Sequence, residues 1–165
     1  LSLDMERVFL LLGSNLGDSR QTLSRAVQAI DQSIGNVVAQ SPLYQSSAWG
    51  LESQPDFLNQ AVLINTTLPA ASLLDQIKEL ERQLGRTDTV HWGPRIIDID
   101  ILLYGEQIIQ TDRLTVPHAQ LTVRRFALQP LNDLAATMVH PVHRLTIRQL
   151  LDVCQDQGVV VRLAE

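Results

Sequence analysis

The sequence is short of the features that mark secreted, membrane-spanning or nucleic-acid-binding proteins. It has one cysteine, Cys154, which excludes a disulfide within the chain and predicts a reducing, cytoplasmic setting. No apolar run approaches the roughly 18 residues of a membrane span, and no basic segment followed by an apolar one marks a secretion signal. Basic residues number 13 against 18 acidic ones, too few for a phosphate-binding surface of the nucleic-acid type. We therefore expect a cytoplasmic protein that binds neither membrane nor nucleic acid.

Length and composition predict one globular domain over residues 1–165. A chain of this length can bury a sizeable core. Hydrophobic residues make up 45% of the sequence and charged residues 19%, which is ordinary for a globular protein. No repeat or low-complexity tract divides the chain.

Hydrophobic spacing predicts the element order βαββαβ. An apolar strand ends in a glycine-rich turn at Gly13–Gly17 and precedes an amphipathic helix. Strands over 36–44 and 57–68, a second helix from Pro69 to Gly85 and a fourth strand, DIDILLY, follow. This is the ferredoxin-like split βαβ order, an α/β fold with an antiparallel sheet and helices packed on one face. The last third is predicted to add a hairpin at YGEQII, helices near 126–136 and 146–155, and a final strand VVVRL.

Two aspartates, Asp98 and Asp100, interrupt the apolar fourth strand. Residues two apart on a strand share a face, so both carboxylates project from one side. The apolar residues predicted to line the other side are Ile97, Ile99, Ile101 and Leu103. Two carboxylates about 7 Å apart repel unless a cation or a basic partner lies between them, and Mg²⁺ usually takes one or two protein carboxylates plus substrate phosphates. A solvated face, or pairing with Arg95 alone, is the alternative.

Each of the other candidate site residues allows two interpretations. Glu81 lies at the edge of the buried stripe of the second helix, so it faces a cleft or pairs on the surface with Lys78 or Arg82. Trp92 is either part of a mobile flap over a ligand or a core residue. The segment VPHAQLTVRRF brings basic groups together, which suits phosphates if they converge on one site.

Two further motifs favour a structural explanation. The Gly13–Gly17 turn follows a strand and precedes a helix, as a phosphate loop does, but no Lys-Ser/Thr follows it. His140 and His143 have a spacing that can chelate a transition metal, yet no other soft ligand is near in sequence. We therefore expect a structural turn and a polar loop.

The string HWGPRIIDIDILLYG closely resembles the signature of the 6-hydroxymethyl-7,8-dihydropterin pyrophosphokinase family. The segments GSNLGD, QPDFLNQAV and LTVPHAQLTVRRFAL agree with it in order, so the likeness spans almost the whole chain. The resemblance implies a ferredoxin-like α/β fold. It also implies transfer of the β,γ-diphosphate of ATP to the hydroxymethyl group of the pterin, with release of AMP, in folate biosynthesis.

The same resemblance implies a role for each matching residue. Asp98 and Asp100 are similar to the ligands of two Mg²⁺ ions, and with Arg86 and Arg95 they form the expected catalytic set. Expected pterin contacts are Ser46, Ser47, Ala48, Asn59 and the stacking pair Phe57 and Phe126. Expected ATP contacts are Glu81, Arg86, Arg95, His118 and Arg124, with Trp92 in a flap that closes over both substrates.

The sequence departs from the family pattern in three places. Asp88, Val90 and His91 occupy a flap stretch that usually carries several basic residues, so flap contacts to ATP are expected to be weaker. Ala119 stands where some members have an aromatic residue, and Trp49 where a smaller apolar residue is common.

Two alternatives to the pyrophosphokinase stay open. One is a non-catalytic pterin- or nucleotide-binding paralogue with a weakened flap; the retained Arg86 and Arg95 argue against it. The other is a Mg²⁺-dependent phosphohydrolase, which would not need the set Phe57, Asn59 and Phe126. The chain is expected to act as a monomer.

Overall fold

The computed structural model describes residues 4–47, 55–85 and 96–164. These ranges contain eight strands, four α-helices and one short 3-10 helix at Leu121–Val123. In chain order the elements are β1 (Glu6–Ser14), α1 (Ser19–Ser33), β2 (Asn36–Gln40), β3 (Tyr44–Ser46), β4 (Phe57–Thr66), α2 (Ala70–Gln83), β5 (Asp98–Tyr104), β6 (Ile109–Gln110), β7 (Thr115–Val116), α3 (Arg125–Ala135), α4 (Ile147–Asp152) and β8 (Val160–Arg162).

The main sheet has the predicted ferredoxin-like arrangement. Its strands lie in the order β5-β1-β4-β3-β8, with β2 also paired to β4, and all neighbours are antiparallel. The prediction of one strand over 36–44 is wrong, because this stretch forms two strands, β2 and β3. Pro42 lies in the break, where its missing N–H costs no ladder bond. Ser41 spans the gap, since its Oγ accepts the backbone N–H of Ala61 at 2.9 Å.

Helices cover both faces of the sheet. α1 and α2 pack on one face against alternate β1 residues such as Leu10 and Leu12. α3 and α4 pack on the other face against Phe9 and Leu11. The expectation of helices on one face is therefore confirmed for α1 and α2, while the C-terminal helices form a third layer.

Strand β5 does not keep one face toward α1 and α2. Ile97, Ile99 and Ile101 pack there as predicted, but Leu103 packs against the α3 side, so its predicted position is wrong. The cause is a bulge: Leu103 pairs with Phe9 and Ile101 with Leu10, which leaves Leu102 as an extra residue. The Leu102 carbonyl accepts the backbone N–H of His118 at 3.0 Å.

The predicted hairpin at YGEQII also differs. A turn at Tyr104–Gln107 does end β5, but the next strand, β6, pairs with β7 in a separate two-stranded sheet. The final strand, β8, instead joins the main sheet beside β3. None of the helices in the described ranges has the length and apolarity needed to cross a membrane.

Candidate active site

A row of three paired residues crosses the sheet at Gly13. Gly13 pairs with Asn59 of β4 on one side and with Asp98 of β5 on the other. Gly13 therefore lies within β1, which corrects its predicted place in the turn; Gly17, with φ +74°, makes the turn. A Cβ on Gly13 would lie 3.1 Å from Asn59 Oδ1 and 3.8 Å from a Phe57 ring carbon. The bare backbone of Gly13 thus lets the Asn59 side chain lie close to β1.

Asp98 and Asp100 project from the same side of β5, as their spacing predicts. Both are half-buried, and the residues that alternate with them, Ile97 and Ile99, are buried toward α2. Their pairing partners Gly13 and Leu11 lie in β1. The two carboxylates therefore lie on the α3 face of the sheet, with Asp98 in the row that holds Asn59.

Glu81 holds the strand that carries the aspartates. Its side chain is 3% exposed, and its Oε2 accepts the backbone N–H of Ile99 at 2.9 Å. β5 is the first strand of the sheet order, so this N–H has no neighbouring strand to bond. The predicted alternative of a surface pair with Arg82 is wrong, because Arg82 Nε donates to Glu79 at 3.0 Å.

Basic and aromatic side chains converge beside Asp100. Burial lowers the pKa of His118 below its ordinary value; the Asp100 carboxylate opposes this shift and Arg124 adds to it. His118 Nδ1 accepts the backbone N–H of Gln120 at 3.1 Å, so the neutral ring carries its proton on Nε2. The guanidinium carbon of Arg124 lies 5.5 Å from the Phe126 ring centroid, within cation–π range. His118, Arg124 and Phe126 thus form one cluster with Asp100.

Four of the predicted pterin residues, Ser46, Ser47, Phe57 and Asn59, lie on β4 or at the end of β3, on the other side of Gly13. Asn59 is buried and its Nδ2 donates to Ser46 Oγ at 2.8 Å, while Phe57 is half-buried and Ser47 exposed. Tyr44, which pairs with Asn59, donates its hydroxyl to Asp133 of α3. Burial and that carboxylate raise the pKa of Tyr44 to about 12. These bonds tie the wall formed by β3 and β4 to α3.

Several predicted site residues lie outside the described ranges. They are Ala48, Arg86, Trp92 and Arg95, together with the departures Trp49, Asp88, Val90 and His91. Their expected roles stay predictions.

The carboxylate pair suits a hard cation. Asp98 and Asp100 offer only oxygen donors on one rigid strand, and Asp98 pairs with Gly13, which has no side chain. Within 4–47, 55–85 and 96–164, no group of three or more His, Cys, Asp or Glu side chains forms a metal site. This donor set matches Mg²⁺, which completes its coordination with water and substrate phosphates.

The histidine pair does not form a metal site. His140 is buried, and its Nδ1 accepts the backbone N–H groups of Val142 and His143, each at 3.1 Å. The His140 and His143 rings lie edge to face, with centroids 4.8 Å apart. His140 therefore holds its own loop, in agreement with the prediction of a polar loop.

Because of His140, we expect the stability of the fold to fall in acid. Burial, followed by the nearby His143, lowers the pKa of His140 from 6.5 to about 4. Because the folded pKa lies below the unfolded one, the neutral ring stabilises the fold above pH 6.5, and that contribution is lost as pH falls toward 4. The expected slope in between is about 1.4 kcal/mol per pH unit.

Urea unfolding at several pH values checks this expectation. His140→Asn keeps an acceptor near the Nδ1 position and cannot take up a proton, so it should remove most of the slope between pH 6 and 4.5. His143→Asn, at an exposed site, should retain most of it. Equal slopes in the wild type and His140→Asn would show that other groups cause the pH dependence.

A cavity of about 790 Å³ lies away from this site, at the other end of β1. Its lining includes Glu6, Arg7, Gly105 and Met138, and none of the predicted site residues.

Comparison with known sequences agrees with the resemblance seen in the sequence. Residues 9–136 match the family described as "7,8-dihydro-6-hydroxymethylpterin-pyrophosphokinase (HPPK)". The chain is 39% identical over 145 residues to the 2-amino-4-hydroxy-6-hydroxymethyldihydropteridine pyrophosphokinase of Aquifex aeolicus, covering 88% of this chain and 90% of that protein. It is also 39% identical over 156 residues to the protein of the same name from Pseudomonas aeruginosa, covering 94% and 96%.

Solved structures support the fold. A crystal structure of Plasmodium falciparum HPPK-DHPS with pterin and p-hydroxybenzoate matches with a TM-score of 0.74 at 18% identity. The match covers 90% of this chain and 43% of that longer one, so this chain corresponds to less than half of its length.

Proposed function

The chain belongs to the 7,8-dihydro-6-hydroxymethylpterin-pyrophosphokinase family, and on that premise we propose that the residues gathered around Gly13 on the α3 face are its active site. As a member of this family, the protein is an ATP-dependent diphosphotransferase of folate biosynthesis. It transfers the β,γ-diphosphate of ATP to 6-hydroxymethyl-7,8-dihydropterin and releases AMP. The observation that supports the site most strongly is the paired row Asn59–Gly13–Asp98, because it joins the expected pterin and metal residues.

The pterin would lie between Phe57 and Phe126, on the Asn59 side of Gly13. Flat aromatic rings bind a flat heterocycle by stacking, and Phe57 and Asn59 share the face of β4 on which Asn59 lies close to Gly13. Ser46 fixes the Asn59 amide. Asn59 offers both donor and acceptor atoms, which suits the lactam edge of a pterin.

ATP would lie on the Asp100 side, where His118 and Arg124 are. Asp100 and Arg124 both act on His118, whose neutral ring carries a proton on Nε2, and Arg124 and this N–H would hold phosphate oxygens. Arg86, Arg95 and the Trp92 flap would complete this half, as the family resemblance implies. Glu81 contributes by holding β5 through the Ile99 N–H.

Asp98 and Asp100 would hold Mg²⁺, and the resemblance implies two ions. When bound, Mg²⁺ supplies positive charge against the phosphate oxygens. The pterin hydroxyl oxygen forms the new bond to the β-phosphorus and gives up its proton to solvent, and the bond from that phosphorus to the α,β-bridging oxygen breaks, so AMP leaves with that oxygen. The chain's own groups act by positioning the two substrates in line and by neutralising charge.

A product assay tests this function directly. The protein is incubated with ATP, MgCl₂ and 6-hydroxymethyl-7,8-dihydropterin, and nucleotides and pterins are separated by chromatography. We expect AMP and pterin diphosphate in equal amounts. ADP would indicate an ordinary kinase or ATPase, and bound pterin without any product would indicate the non-catalytic paralogue.

The remaining expectations extend this proposal. We propose that residues 1–165 form one pyrophosphokinase domain acting as a monomer in the cytoplasm. The family match favours diphosphate transfer over the phosphohydrolase alternative.

A further inference from the structure

Helix α3, which carries Phe126, begins without a capping side chain of its own. Its N-cap residue is Arg124, whose side chain makes no cap hydrogen bond. The first N–H groups of a helix need acceptors from outside the helix. In α3 the acceptor is the carboxylate of Asp156, which lies 31 residues further along the chain. The backbone N–H of Arg125 donates to Asp156 Oδ2 at 3.0 Å.

Further hydrogen bonds orient the Asp156 carboxylate and hold its turn against the start of α3. Asp156 Oδ1 accepts the backbone N–H of Gly158 at 2.8 Å, which orients the carboxylate. The Arg125 guanidinium donates to the carbonyls of Asp156 at 3.2 Å and Cys154 at 3.0 Å. The negative charge of Asp156 also lies at the positive end of the helix dipole.

The same segment continues into the opposite wall of the pterin slot. We call residues 154–163 the C-terminal strap. Four residues after Asp156, Val160 of β8 pairs with Ser46 of β3, and the Leu163 N–H donates to the Leu43 carbonyl at 2.9 Å. Ser46 in turn accepts from Asn59. One short strap therefore joins the start of α3 to the strands that carry the pterin-edge residue.

We propose that Asp156 is a positioning residue for pterin binding. It fixes the first turn of α3, and with it the Phe126 ring, at a set distance from the wall formed by Phe57 and Asn59. The inference rests on the proposed function, since it assumes that this slot holds the pterin. Residues 154–163 lie outside the 9–136 match, so the positioning comes from a segment that the family comparison does not include.

The test compares pterin affinity in five variants of the full chain. Asp156→Ala removes both acceptors, and Asp156→Asn keeps one of them. Asp152→Ala is the matched control, because Asp152 is an exposed aspartate four positions earlier. Phe126→Ala, alone and combined with Asp156→Ala, completes a double-mutant cycle. Binding is measured by titration with 6-hydroxymethyl-7,8-dihydropterin, and folding by circular dichroism and Tm.

We expect Asp156→Ala to raise the pterin Kd by about tenfold, Asp156→Asn to raise it less, and Asp152→Ala to leave it within twofold. In the Phe126→Ala background the effect of Asp156→Ala should largely disappear. A merely structural role would lower Tm without this coupling.

Two results would overturn the proposal: an unchanged Kd in folded Asp156→Ala, or the same loss of affinity with and without Phe126. If Asp156→Ala does not fold, the same two comparisons are made with Asp156→Asn. Failure of the proposed function is distinguishable, because it appears as missing AMP in the wild type, whereas the positioning role is decided by pterin binding.

Discussion

Replacing both strand carboxylates, Asp98→Asn together with Asp100→Asn, is expected to lower kcat by roughly 10³-fold or more. Asparagine keeps the size of each side chain but removes the two negative charges that would hold Mg²⁺ against the phosphates. Both residues are half-buried on β5. We therefore expect the variant to remain folded, because asparagine keeps the size of both side chains and their ability to accept hydrogen bonds.

The control variant removes two carboxylates elsewhere. Glu106→Gln with Asp112→Asn makes the same change in net charge at exposed positions and should leave kcat within twofold. AMP formation at saturating ATP and pterin is the measurement, repeated over a range of MgCl₂ concentrations. Activity of the Asp98/Asp100 variant within tenfold of wild type would show that these carboxylates are not the essential metal ligands.

Glu81→Met is expected to damage both stability and activity. Methionine matches the shape of glutamate but cannot accept the Ile99 N–H, so a buried donor is left unsatisfied at a cost of about 1–3 kcal/mol. The loosened strand is the one that carries Asp98 and Asp100 on either side of Ile99. Small displacements of catalytic groups lower rates steeply, so we expect kcat to fall roughly 10- to 100-fold.

Glu81→Gln separates two explanations of that loss. Its side-chain oxygen can still accept from Ile99, so a purely positional role predicts kcat within about threefold of wild type. If the glutamine variant is as slow as Glu81→Met, the negative charge itself is required, as a direct role at the nucleotide would demand. Glu79→Met, at an exposed position on the same helix, is the control for both, and urea unfolding supplies the stability measurement.

Local periodicity was enough to predict the elements on which the site is built. The helical spacing of Leu23 and Ile30, and of Leu73 and Ile77, predicted α1 and α2 with their buried faces. The shared face of Asp98 and Asp100 was predictable for the same reason, because it depends only on the two-residue period of a strand.

The features that the sequence did not predict depend on partners far away in the chain. The bulge at Leu102 arises from the register between β5 and β1, and no residue in DIDILLY marks it. For Glu81, the sequence predicted only a position on a helix. Its role as an acceptor could not be predicted, because that role depends on the edge strand β5 lying beside the helix. Asp156 lies 31 residues from the N–H that it caps, beyond any local capping pattern.

The bulge also limits how this family member can change in length. Upstream of Leu102 the strand presents its aspartates to the α3 face, and downstream Leu103 returns to that face. Deleting Leu102 would remove the bulge and leave Leu103 on the α3 face, directly after Ile101, but it would withdraw the carbonyl that anchors His118. Substitutions along DIDILLY can be accommodated one side chain at a time, but a single-residue insertion or deletion in its regularly paired part, residues 98–101, would reverse the faces of several side chains together. We therefore expect natural variation in this strand to occur by replacement, with its residue count held constant.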